Sequence, residues 1–514
     1  MDVILGAQRY LGKISLVARG NSHTFKDLLA GATAICDKLW EVYPDAPQHS
    51  PSPWGPRVGI MVPPGEDYVT STWGTWLSGG IAVPLAVSHT PSELTHVLCD
   101  AQVSVVLASK DFKDRLSQGL EESKAKLHVV GGEGRSFCGD VDPCEISGGE
   151  WGALIMYTSG TTGRPKGVLH SHRSLRAQIC GMSEAWGWTS EDHILNCLPL
   201  HHVHGIVNAL YTPHYNGASV EILPKFSPRE VWNKFQEGGV TLFSGVPTMY
   251  SHLLAAYDEM DVSKQRAARD AAASLRVFIC GSSACPTPLM ERWEQVTGHR
   301  LLERYGMTEI GMGLTNPLKG ERRPGCVGIP LPGVSIKQPS MQEDSFEVLV
   351  KGDNLFTEYW GRPDATAAAF DPDGWFKTGD TACLTGNPPY FSILGRTSVD
   401  IIKSGGYKLS ALEIESAILE DAGVRECSVM GVPDAVYGEV VVAMVVFKEG
   451  QDEGEERVKH FCGERLAKYK VPREVWVVDE IPRNTMGKVN KVELVRDFLG
   501  KFLGTKSKKG EGVE

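Results

Sequence analysis

The sequence predicts an α/β protein built on mainly parallel sheets. Apolar, strand-like runs alternate with helix-like stretches, as from Val58–Val62 through Tyr68–Leu77 to Ile81–Leu85. Such alternation is typical of right-handed βαβ units. The chain has 514 residues, which is more than one hydrophobic core usually serves, so two or three packed units are expected.

The remaining elements follow in order along the chain. Thr24 is the predicted N-cap of an amphipathic helix, and Val103–Leu107 is predicted as a further buried strand. Leu242–Tyr250 indicates a strand that ends in a turn, and Leu275–Ala284 a buried strand that ends in a loop of small residues around Ser282. Ligands of open α/β sheets bind beyond the carboxyl ends of strands, so these junctions predict a nucleotide cleft with Ser282 in it.

Composition excludes several classes of partner. The net charge of −11 argues against nucleic acid or an anionic membrane as the main partner. The 12 cysteines form no C-x-x-C pair, which favours free thiols in a reducing compartment. No apolar run reaches the length of a membrane span, and neither end carries a clear targeting signal. A cytoplasmic location is the default expectation, with organellar targeting not excluded.

A polar, glycine-rich loop follows the apolar run Ala153–Met156. It has one lysine and four hydroxyl side chains, and it differs from a Walker A loop because Pro165 stands where the second glycine should be. Glycine-freed N–H groups, hydroxyls and an ammonium suit a polyphosphate, although a plain surface loop has the same composition. The candidate phosphate contacts are Thr158, Ser159, Gly160, Thr161, Thr162, Gly163 and Lys166.

This order, T-S-G-T-T-G-x-P-K-G, resembles the signature of the adenylate-forming (acyl-CoA synthetase) superfamily. A second stretch, Tyr305–Glu309, resembles its Y-G-x-T-E box. The resemblance implies that Tyr305 stacks on adenine, that Thr308 contacts the α-phosphate and that Glu309 holds Mg²⁺. These residue types fit those roles, because an aromatic ring has a flat apolar face and Mg²⁺ binds carboxylate oxygens together with phosphate oxygens.

Two further boxes imply the ribose site and the domain boundary. Thr378-Gly379-Asp380 resembles the T-G-D box, whose aspartate accepts hydrogen bonds from the ribose hydroxyls. Arg396 resembles the residue that contacts ribose or phosphate just before the hinge. The implied domains are a large N-terminal ATP- and acid-binding domain, residues 1–396, and a small, mobile α+β lid, residues 397–514. Ser398 occupies the pivot, where family members more often carry Asp or Lys.

The last boxes lie in the expected lid. The segment around Gly405, Gly406 and Lys408 resembles the one that approaches the pantetheine of coenzyme A after the lid turns. Lys488 falls on the lysine of the P-R-x-x-x-G-K box, which bridges carboxylate and α-phosphate during adenylation. The catalytic set implied by the resemblance is therefore Lys488, Thr308 and Glu309.

The acyl pocket is predicted from three histidines and an arginine pair. His201, His202 and His204 invite a metal interpretation, yet no partner cluster at ligand spacing completes such a site. His202 falls on the histidine of the superfamily's acyl-pocket segment, and His204, as a partly charged donor, would suit a polar acyl group. Arg322 is the predicted partner of a second carboxylate, although an exposed Arg322–Arg323 pair is the alternative.

Longer matches at His299–Glu309, Glu321–Gly325 and Ser404–Ser410 resemble the malonate–CoA ligase branch, particularly its plant members. The implied reaction converts malonate, ATP and CoA to malonyl-CoA, AMP and pyrophosphate, with Mg²⁺ as cofactor. Two alternatives stay open: a CoA ligase for another short or aromatic acid, and a non-catalytic AMP-binding homologue. A kinase-like phosphotransferase is a third, which would release ADP instead of AMP.

Overall fold

The computed structural model describes residues 2–42, 55–131, 149–158, 165–337, 344–434, 436–451, 454–483 and 489–496. Among the described residues, no helix is both long and apolar enough to cross a membrane.

The helices, in chain order, are α1 Asp2–Gln8, α2 Phe25–Val42, α3 Glu66–Leu77, α4 Pro91–Asp100, α5 Lys113–Ser123, α6 His172–Ala185, α7 Thr212–Tyr215, α8 Pro228–Glu237, α9 Pro247–Asp258, α10 Val262–Ala273, α11 Thr287–Thr297, α12 Pro363–Ala368, α13 Ala411–Ile418 and α14 Gly454–Gly463. A π-helix spans His204–Tyr211, and short 3₁₀ turns span Lys110–Phe112 and Lys468–Lys470.

The strands are β1 Ile14–Ala18, β2 Asn21–Thr24, β3 Arg57–Met61, β4 Ile81–Pro84, β5 Val105–Ala108, β6 Lys126–Val129, β7 Gly152–Thr158, β8 Lys166–Ser171, β9 His193–Asn196, β10 Ser219–Ile222, β11 Leu242–Gly245, β12 Val277–Cys280, β13 Leu302–Met307, β14 Gly311–Thr315, β15 Ile329–Pro330, β16 Ser335–Ile336, β17 Phe346–Lys351, β18 Glu358–Tyr359, β19 Phe376–Thr385, β20 Tyr390–Arg396, β21 Ile401–Ser404, β22 Tyr407–Ser410, β23 Val424–Asp434, β24 Gly438–Phe447 and β25 Glu474–Val477.

Two large sheets confirm the predicted α/β architecture. The first has nine described strands in the order β15-β14-β13-β12-β11-β9-β10-β1-β2, and its six central strands, β13 to β1, are parallel. The second has seven described strands, β18-β8-β7-β4-β3-β5-β6, and is parallel from β7 to β6. In the first sheet, the neighbouring strands β11, β12 and β13 end side by side at one edge, which places the loops that follow them next to each other.

Two smaller sheets complete the molecule. The antiparallel sheet β16-β17-β19-β20 ends at Arg396, and the next strand, β21, belongs to a different sheet with β22, β24, β23 and β25. Sheet membership therefore changes between Arg396 and Ile401, close to the expected boundary at Ser398. The small C-terminal unit mixes α13 and α14 with largely antiparallel strands, as an α+β unit should.

Local sequence explains several of these elements. Thr24 caps α2 as predicted, because its hydroxyl accepts a hydrogen bond from the N–H of Asp27 at 3.2 Å while the Asp27 carboxylate accepts one from the N–H of Thr24 at 2.8 Å. The strands expected at Val58–Val62 and Ile81–Leu85 form β3 and β4, and the helix expected at Tyr68–Leu77 lies within α3.

Candidate active site

The phosphate loop is anchored by a strand pair. Thr158 ends β7 and Lys166 begins β8, and the two residues face each other in the antiparallel register. Residues 159–164, which include Ser159, Gly160, Thr161, Thr162 and Gly163, lie outside the described residues. The anchor alone fixes where the loop starts and ends. It places the Lys166 ammonium 4.7 Å from the ring centroid of Tyr359, a cation–π contact.

Tyr359 connects the loop lysine to the expected metal ligand. Its hydroxyl donates a hydrogen bond to Oε1 of Glu309 at 3.0 Å. The residue lies in β18, which pairs with β8 beside the phosphate loop. One tyrosine thus contacts both the predicted phosphate cation and the predicted magnesium carboxylate.

Glu309 is a buried carboxylate, with 7% of its surface exposed. Burial raises its pKa, while the hydrogen bonds it accepts and the charges of Arg396 and Lys166 oppose the shift. A desolvated carboxylate beside a phosphate loop fits Mg²⁺, which takes one or two carboxylates and completes its shell with phosphate oxygens and water. No group of three or more His, Cys, Asp or Glu side chains in the described ranges could hold a metal by itself.

Thr308 is held through its backbone. Nε2–H of His170 donates to the Thr308 carbonyl oxygen at 2.7 Å, and Ser174 and Gln178 lie at 3.1 and 3.2 Å from Nδ1. Burial lowers the pKa of His170 to about 4, so the ring is neutral near pH 7. The histidine fixes the turn between Tyr305 and Glu309 without adding charge near the phosphates.

Tyr305, Asp380 and Arg396, which the nucleotide boxes assign to adenine, ribose and ribose or phosphate, form a connected group. The Tyr305 hydroxyl donates to Oδ2 of Asp380 at 2.6 Å, and Nε of Arg396 lies 3.1 Å from Oδ1. Burial raises the pKa of Asp380, and the Arg396 charge and the Tyr305 hydrogen bond oppose that shift. Both carboxylate oxygens already have a donor, so ribose hydroxyls would share or replace these contacts.

The acyl group is expected where β11, β12 and β13 end. His204 contacts the Ser244 hydroxyl through Nε2 at 2.7 Å and the Ser282 hydroxyl through Nδ1 at 3.2 Å. A terminal nitrogen of Arg304 donates to the same Ser282 hydroxyl at 3.4 Å. Ser282, which the sequence predicts as a nucleotide contact, therefore joins the His204–Arg304 group. The three residues are called the acyl cluster below.

Backbone conformation supports this cluster. Ser282 adopts a left-handed conformation with φ of +72°, which is uncommon for a residue other than glycine. A Cβ at the preceding Gly281 would lie 2.7 Å from Nε of Arg304, so only glycine lets the guanidinium pack there. Residues held in such backbone regions are concentrated at functional sites.

Arg304 is a buried cation that lacks a carboxylate partner among the described residues. It is 3% exposed, and its Nε has no hydrogen-bond partner in the described part of the chain. Burial lowers its pKa to about 10, so it stays charged near pH 7. The neighbouring Glu303 points elsewhere, accepting the Cys285 N–H at 2.8 Å, and burial raises its pKa to about 8. The site therefore favours an added anion.

The other predicted acyl residues have different environments. Burial lowers the pKa of His204 well below its usual value, so the ring is neutral, in contrast to the partial charge expected from sequence. The rings of His202 and His201 lie 4.1 Å apart.

Arg322 donates to the backbone carbonyls of Pro317, Arg300 and Leu318 at 3.2, 2.6 and 2.8 Å. Because these carbonyls occupy the Arg322 guanidinium, the structure favours Arg304 over Arg322 as the carboxylate partner.

The predicted CoA residues lie on one hairpin. Gly405 and Gly406 form the turn between β21 and β22, and Lys408 lies in β22 with its side chain exposed. Lys488 lies outside the described residues, and its role stays a prediction. Lys491, a few positions later, is buried between Asp400 and Glu415, at 2.6 and 2.7 Å.

Sequence reasoning missed Tyr359 and Arg304. Arg304 directly precedes the Y-G-x-T-E box, and a charged residue inside the otherwise apolar strand Leu301–Tyr305 is the signal that could have identified it. Tyr359 carries no such signal, because its role depends on the pairing of β18 with β8. These contacts, which gather at the ends of parallel strands, are those expected of a nucleotide-binding enzyme, and a separate polar cluster surrounds Arg304.

Comparison with known proteins agrees with this class. The model for "AMP-binding enzyme" matches residues 6–360, and the model for "AMP-binding enzyme C-terminal domain" matches residues 413–488. The chain belongs to the AMP-binding enzyme family. The resemblance to the adenylate-forming superfamily is therefore confirmed.

Individual relatives indicate which branch of the family the chain resembles. The chain is 45% identical to the malonate–CoA ligase of Arabidopsis thaliana over 476 residues, covering 86% of this chain and 78% of the relative. It is 40% identical to the mitochondrial malonate–CoA ligase ACSF3 of Homo sapiens, covering 95% and 90%. The crystal structure of ATP-bound MatB from Rhodopseudomonas palustris has a TM-score of 0.85 at 31% identity, covering 97% and 98%. The predicted malonate–CoA ligase branch is the one these relatives represent.

Proposed function

We propose that the protein is an AMP-forming malonate–CoA ligase. In the first half-reaction, malonate and ATP give malonyl-AMP and pyrophosphate; in the second, malonyl-AMP and CoA give malonyl-CoA and AMP. The names of relatives at 40–45% identity support this assignment. The alternatives are a ligase for another acid and a homologue that binds AMP without catalysis.

The observation that carries the choice of a dicarboxylate is the buried charge of Arg304. A fatty or aromatic monocarboxylate uses its only carboxylate at the phosphorus atom, and its remaining part is largely apolar. An apolar acyl group would leave the Arg304 cation desolvated and unpaired, which is costly. The distal carboxylate of malonate would instead accept hydrogen bonds from the guanidinium and from Ser282, with neutral His204 as a further polar contact.

Adenylation depends on the positioning of malonate and ATP and on positive charge near the phosphates, more than on covalent catalysis by the protein. The proximal malonate carboxylate attacks the α-phosphorus in line, and pyrophosphate leaves with the electrons of the broken P–O bond. Lys166 lies at the phosphate loop and Lys488 is expected at the reacting carboxylate. Mg²⁺, when bound, would neutralise phosphate charge, and Glu309 would hold it. Tyr359 orients Glu309 through its hydroxyl and supports Lys166 with its ring.

Thioester formation follows in the same cleft. The CoA thiol loses its proton and attacks the acyl carbon of malonyl-AMP, and AMP leaves as its phosphate takes the bonding electrons. We propose that the lid of residues 397–514 turns about Ser398 between the two steps, which removes Lys488 and brings the Gly405–Gly406 hairpin to the cleft.

A panel of acids tests the assignment. Purified protein is assayed for CoA-dependent AMP release with malonate, methylmalonate, succinate, acetate, octanoate and benzoate. Malonate should give the highest kcat/KM, at least tenfold above every monocarboxylate, and AMP should form in place of ADP. A higher value for a monocarboxylate favours the other ligase, ADP favours a kinase, and absence of acid-dependent pyrophosphate exchange favours the non-catalytic homologue.

The compartment is a separate proposal. We propose the cytosol, a reducing compartment that suits the free thiols expected from the cysteine pattern, although the human relative is named mitochondrial. Fractionation of cells that express the tagged chain decides between the two, since recovery with mitochondria would contradict the cytosolic proposal.

A further inference from the structure

Helix α4 packs against the strand pair that anchors the phosphate loop. Its first turn is held by Thr90, which forms a capping box with Glu93. One side of the helix belongs to the same hydrophobic cluster as Ile155 of β7 and Leu169 of β8. The buried side chains that α4 contributes to this cluster are Leu94, Val97 and Leu98. The helix is therefore fixed at its start and along its apolar side, and it shares a core with β7 and β8.

Two polar side chains of α4 contact the two ends of the strand anchor. His96 and Asp100 are four positions apart, so they lie on the same side of the helix. Nε2–H of His96 donates to the carbonyl oxygen of Pro165 at 3.0 Å, and the Tyr157 hydroxyl donates to Oδ2 of Asp100 at 2.6 Å. Tyr157 is the penultimate residue of β7, and Pro165 directly precedes Lys166. One side of α4 thus contacts the chain both before and after the phosphate loop.

Asp100 also holds the turn that follows β18. Two terminal nitrogens of Arg362 donate to its two carboxylate oxygens, at 3.1 and 2.6 Å, and such a fork fixes the plane of the guanidinium. The backbone N–H of Arg362 donates to the carbonyl oxygen of Tyr359, and its Nη1 donates to that of Trp360, each at 2.9 Å. Asp100 therefore restrains the tyrosine whose ring contacts the phosphate-loop lysine and whose hydroxyl contacts the expected magnesium carboxylate.

The charge of Asp100 is neutralised within the protein. Burial opposes its ionised form, but the hydrogen bonds from Arg362 and Tyr157 and the Arg362 charge lower its pKa overall. Burial and the hydrogen bond to Asp100 raise the pKa of Tyr157, so the tyrosine keeps the proton that it donates. Because Asp100 and Arg362 form an ion pair, the two together add no net charge beside the phosphate loop. Their contribution is geometric.

We propose that Asp100 and His96 are positioning residues that place Lys166 for the β- and γ-phosphates of ATP. Asp100 also fixes Tyr359, and through it Glu309. The proposal rests on the proposed function and deepens it. AMP lacks the two outer phosphates, and pyrophosphate leaves before CoA reacts. The effect of these residues should therefore be confined to ATP binding and adenylation.

The first test compares the affinities for ATP and AMP by titration calorimetry in the presence of Mg²⁺. Asp100→Asn keeps the size of the side chain and removes its charge, and it should weaken ATP binding about tenfold and AMP binding less than about twofold. Tyr157→Phe removes only the contact with β7, and His96→Phe removes only the donor to Pro165. Each should weaken ATP binding about threefold.

Kinetic measurements separate positioning from a general loss of folded protein. In malonate-dependent pyrophosphate exchange, Asp100→Asn should raise the KM for ATP and lower kcat, with the KM for malonate within about twofold of the parent value. The reaction of synthetic malonyl-AMP with CoA should keep the parent rate, because no pyrophosphate takes part in it.

Asp192→Asn is the matched control. Asp192 accepts a similar fork from Arg276, at 2.7 and 3.0 Å, but the two residues directly precede β9 and β12 and so lie at the amino ends of those strands. This variant should also be less stable than the parent, yet its ratio of ATP to AMP affinity should be unchanged.

Three results would overturn the proposal: equal losses of ATP and AMP affinity in Asp100→Asn, parent affinity for both nucleotides, or a slower reaction of malonyl-AMP with CoA. If Asp100→Asn does not fold, Tyr157→Phe provides the same comparison with a smaller change. If the parent shows no pyrophosphate exchange with any acid, the proposed function fails. The titrations of ATP and AMP need no acid, so they still decide whether Asp100 acts on the outer phosphates.

Discussion

Arg304 is the residue whose environment differs most from what its type usually requires. A guanidinium carries five N–H donors and keeps its charge, so a buried one is normally paired with a carboxylate. Here its one hydrogen bond between described side chains goes to Ser282, and the adjacent Glu303 has a pKa raised to about 8 by burial. Among the described residues, no carboxylate forms an ion pair with this buried charge, so a bound anion is the expected partner.

Replacing Arg304 should therefore change acid selectivity. Arg304→Met is expected to lower kcat/KM for malonate about 100-fold, within the range for removing one partner of a buried charge pair. Activity with propionate, which has the same carbon chain without the distal carboxylate, should change less than threefold or rise. Initial rates of pyrophosphate exchange with both acids provide the measurement.

Arg322→Met is the matched comparison, since the sequence predicts Arg322 for the same contact. Its donors occupy backbone carbonyls, so the variant should unfold more easily, by about 1–3 kcal/mol, with unchanged selectivity between malonate and propionate. A loss of malonate selectivity in Arg322→Met but not in Arg304→Met would reverse the assignment.

At the scale of elements, what the sequence predicts well is local. A strand followed by a loop needs only neighbouring residues, so β3, α3, β4 and the strand anchor of the phosphate loop follow from apolar runs and glycines. The boxes around Tyr305 and Asp380 could also be assigned, because each carries its chemistry within a few residues.

Contacts between distant segments could not be predicted in the same way. Tyr359 reaches Glu309 because β18 pairs with β8, and nothing near Tyr359 in the sequence encodes that register. The different environments of Arg322 and Arg304 could not be predicted for a related reason. Which arginine lies in the cleft depends on the alternation of side chains along β13 and on the path of the loop after β14, and composition reports neither.

One set of hydrogen bonds and ion pairs joins the elements on both sides of the expected hinge. The N–H of Arg396 donates to Oδ2 of Asp400 at 3.0 Å, and Lys491 bridges Oδ1 of Asp400 and Oε1 of Glu415. Lys491 is 9% exposed. Burial alone would lower its pKa, but the two carboxylates raise it, so the lysine stays charged at neutral pH. The segment that follows Lys488 is thereby tied to the start of the lid.

Replacing Lys491 should destabilise the lid, because Asp400 and Glu415 would lose the cation that pairs with them. Lys491→Met leaves Asp400 and Glu415 buried without their cation, and the free energy of unfolding of the lid should fall by about 3–5 kcal/mol. Adding Glu415→Gln should restore part of that loss, because one uncompensated charge is removed. Lys470→Met is the control, since its pair with Glu413 is exposed, and it should cost less than about 1 kcal/mol.

Chemical denaturation of the four proteins, followed by circular dichroism, gives the comparison. If Lys491→Met and Lys470→Met lose the same small amount, the buried contacts do not stabilise the lid. Glu415 also has a raised pKa caused first by burial. The free energy of unfolding should therefore fall as the pH rises from the unfolded-state pKa of Glu415 toward its higher folded-state pKa, because the folded protein holds this proton more tightly. In Glu415→Gln, which has no such proton, the free energy of unfolding should depend less on pH in that range.

At the scale of the whole molecule, the hydrophobic clusters divide where the sheets divide. Among the described residues, the clusters of the large sheets and of the sheet that ends at Arg396 contain only residues up to 393, whereas two separate clusters contain only residues from 402 onward. No buried apolar cluster in the described ranges crosses Ser398. Each unit thus has its own core, as the proposed division into residues 1–396 and 397–514 requires.

Two cores should give two unfolding transitions, which differential scanning calorimetry can separate. Ile414→Val removes one buried methyl from the small unit, at a cost of about 1 kcal/mol, and should lower only the transition of that unit, by roughly 4–8 °C. Ile194→Val, its counterpart in β9, should lower only the other transition, and by fewer degrees because that unit is larger. Added ATP should raise the transition of the large unit, because the predicted nucleotide contacts Tyr305, Asp380 and Glu309 lie there. A single transition that both substitutions shift alike would mean that the two cores unfold together, and a lid that turns about Ser398 would then need another structural basis.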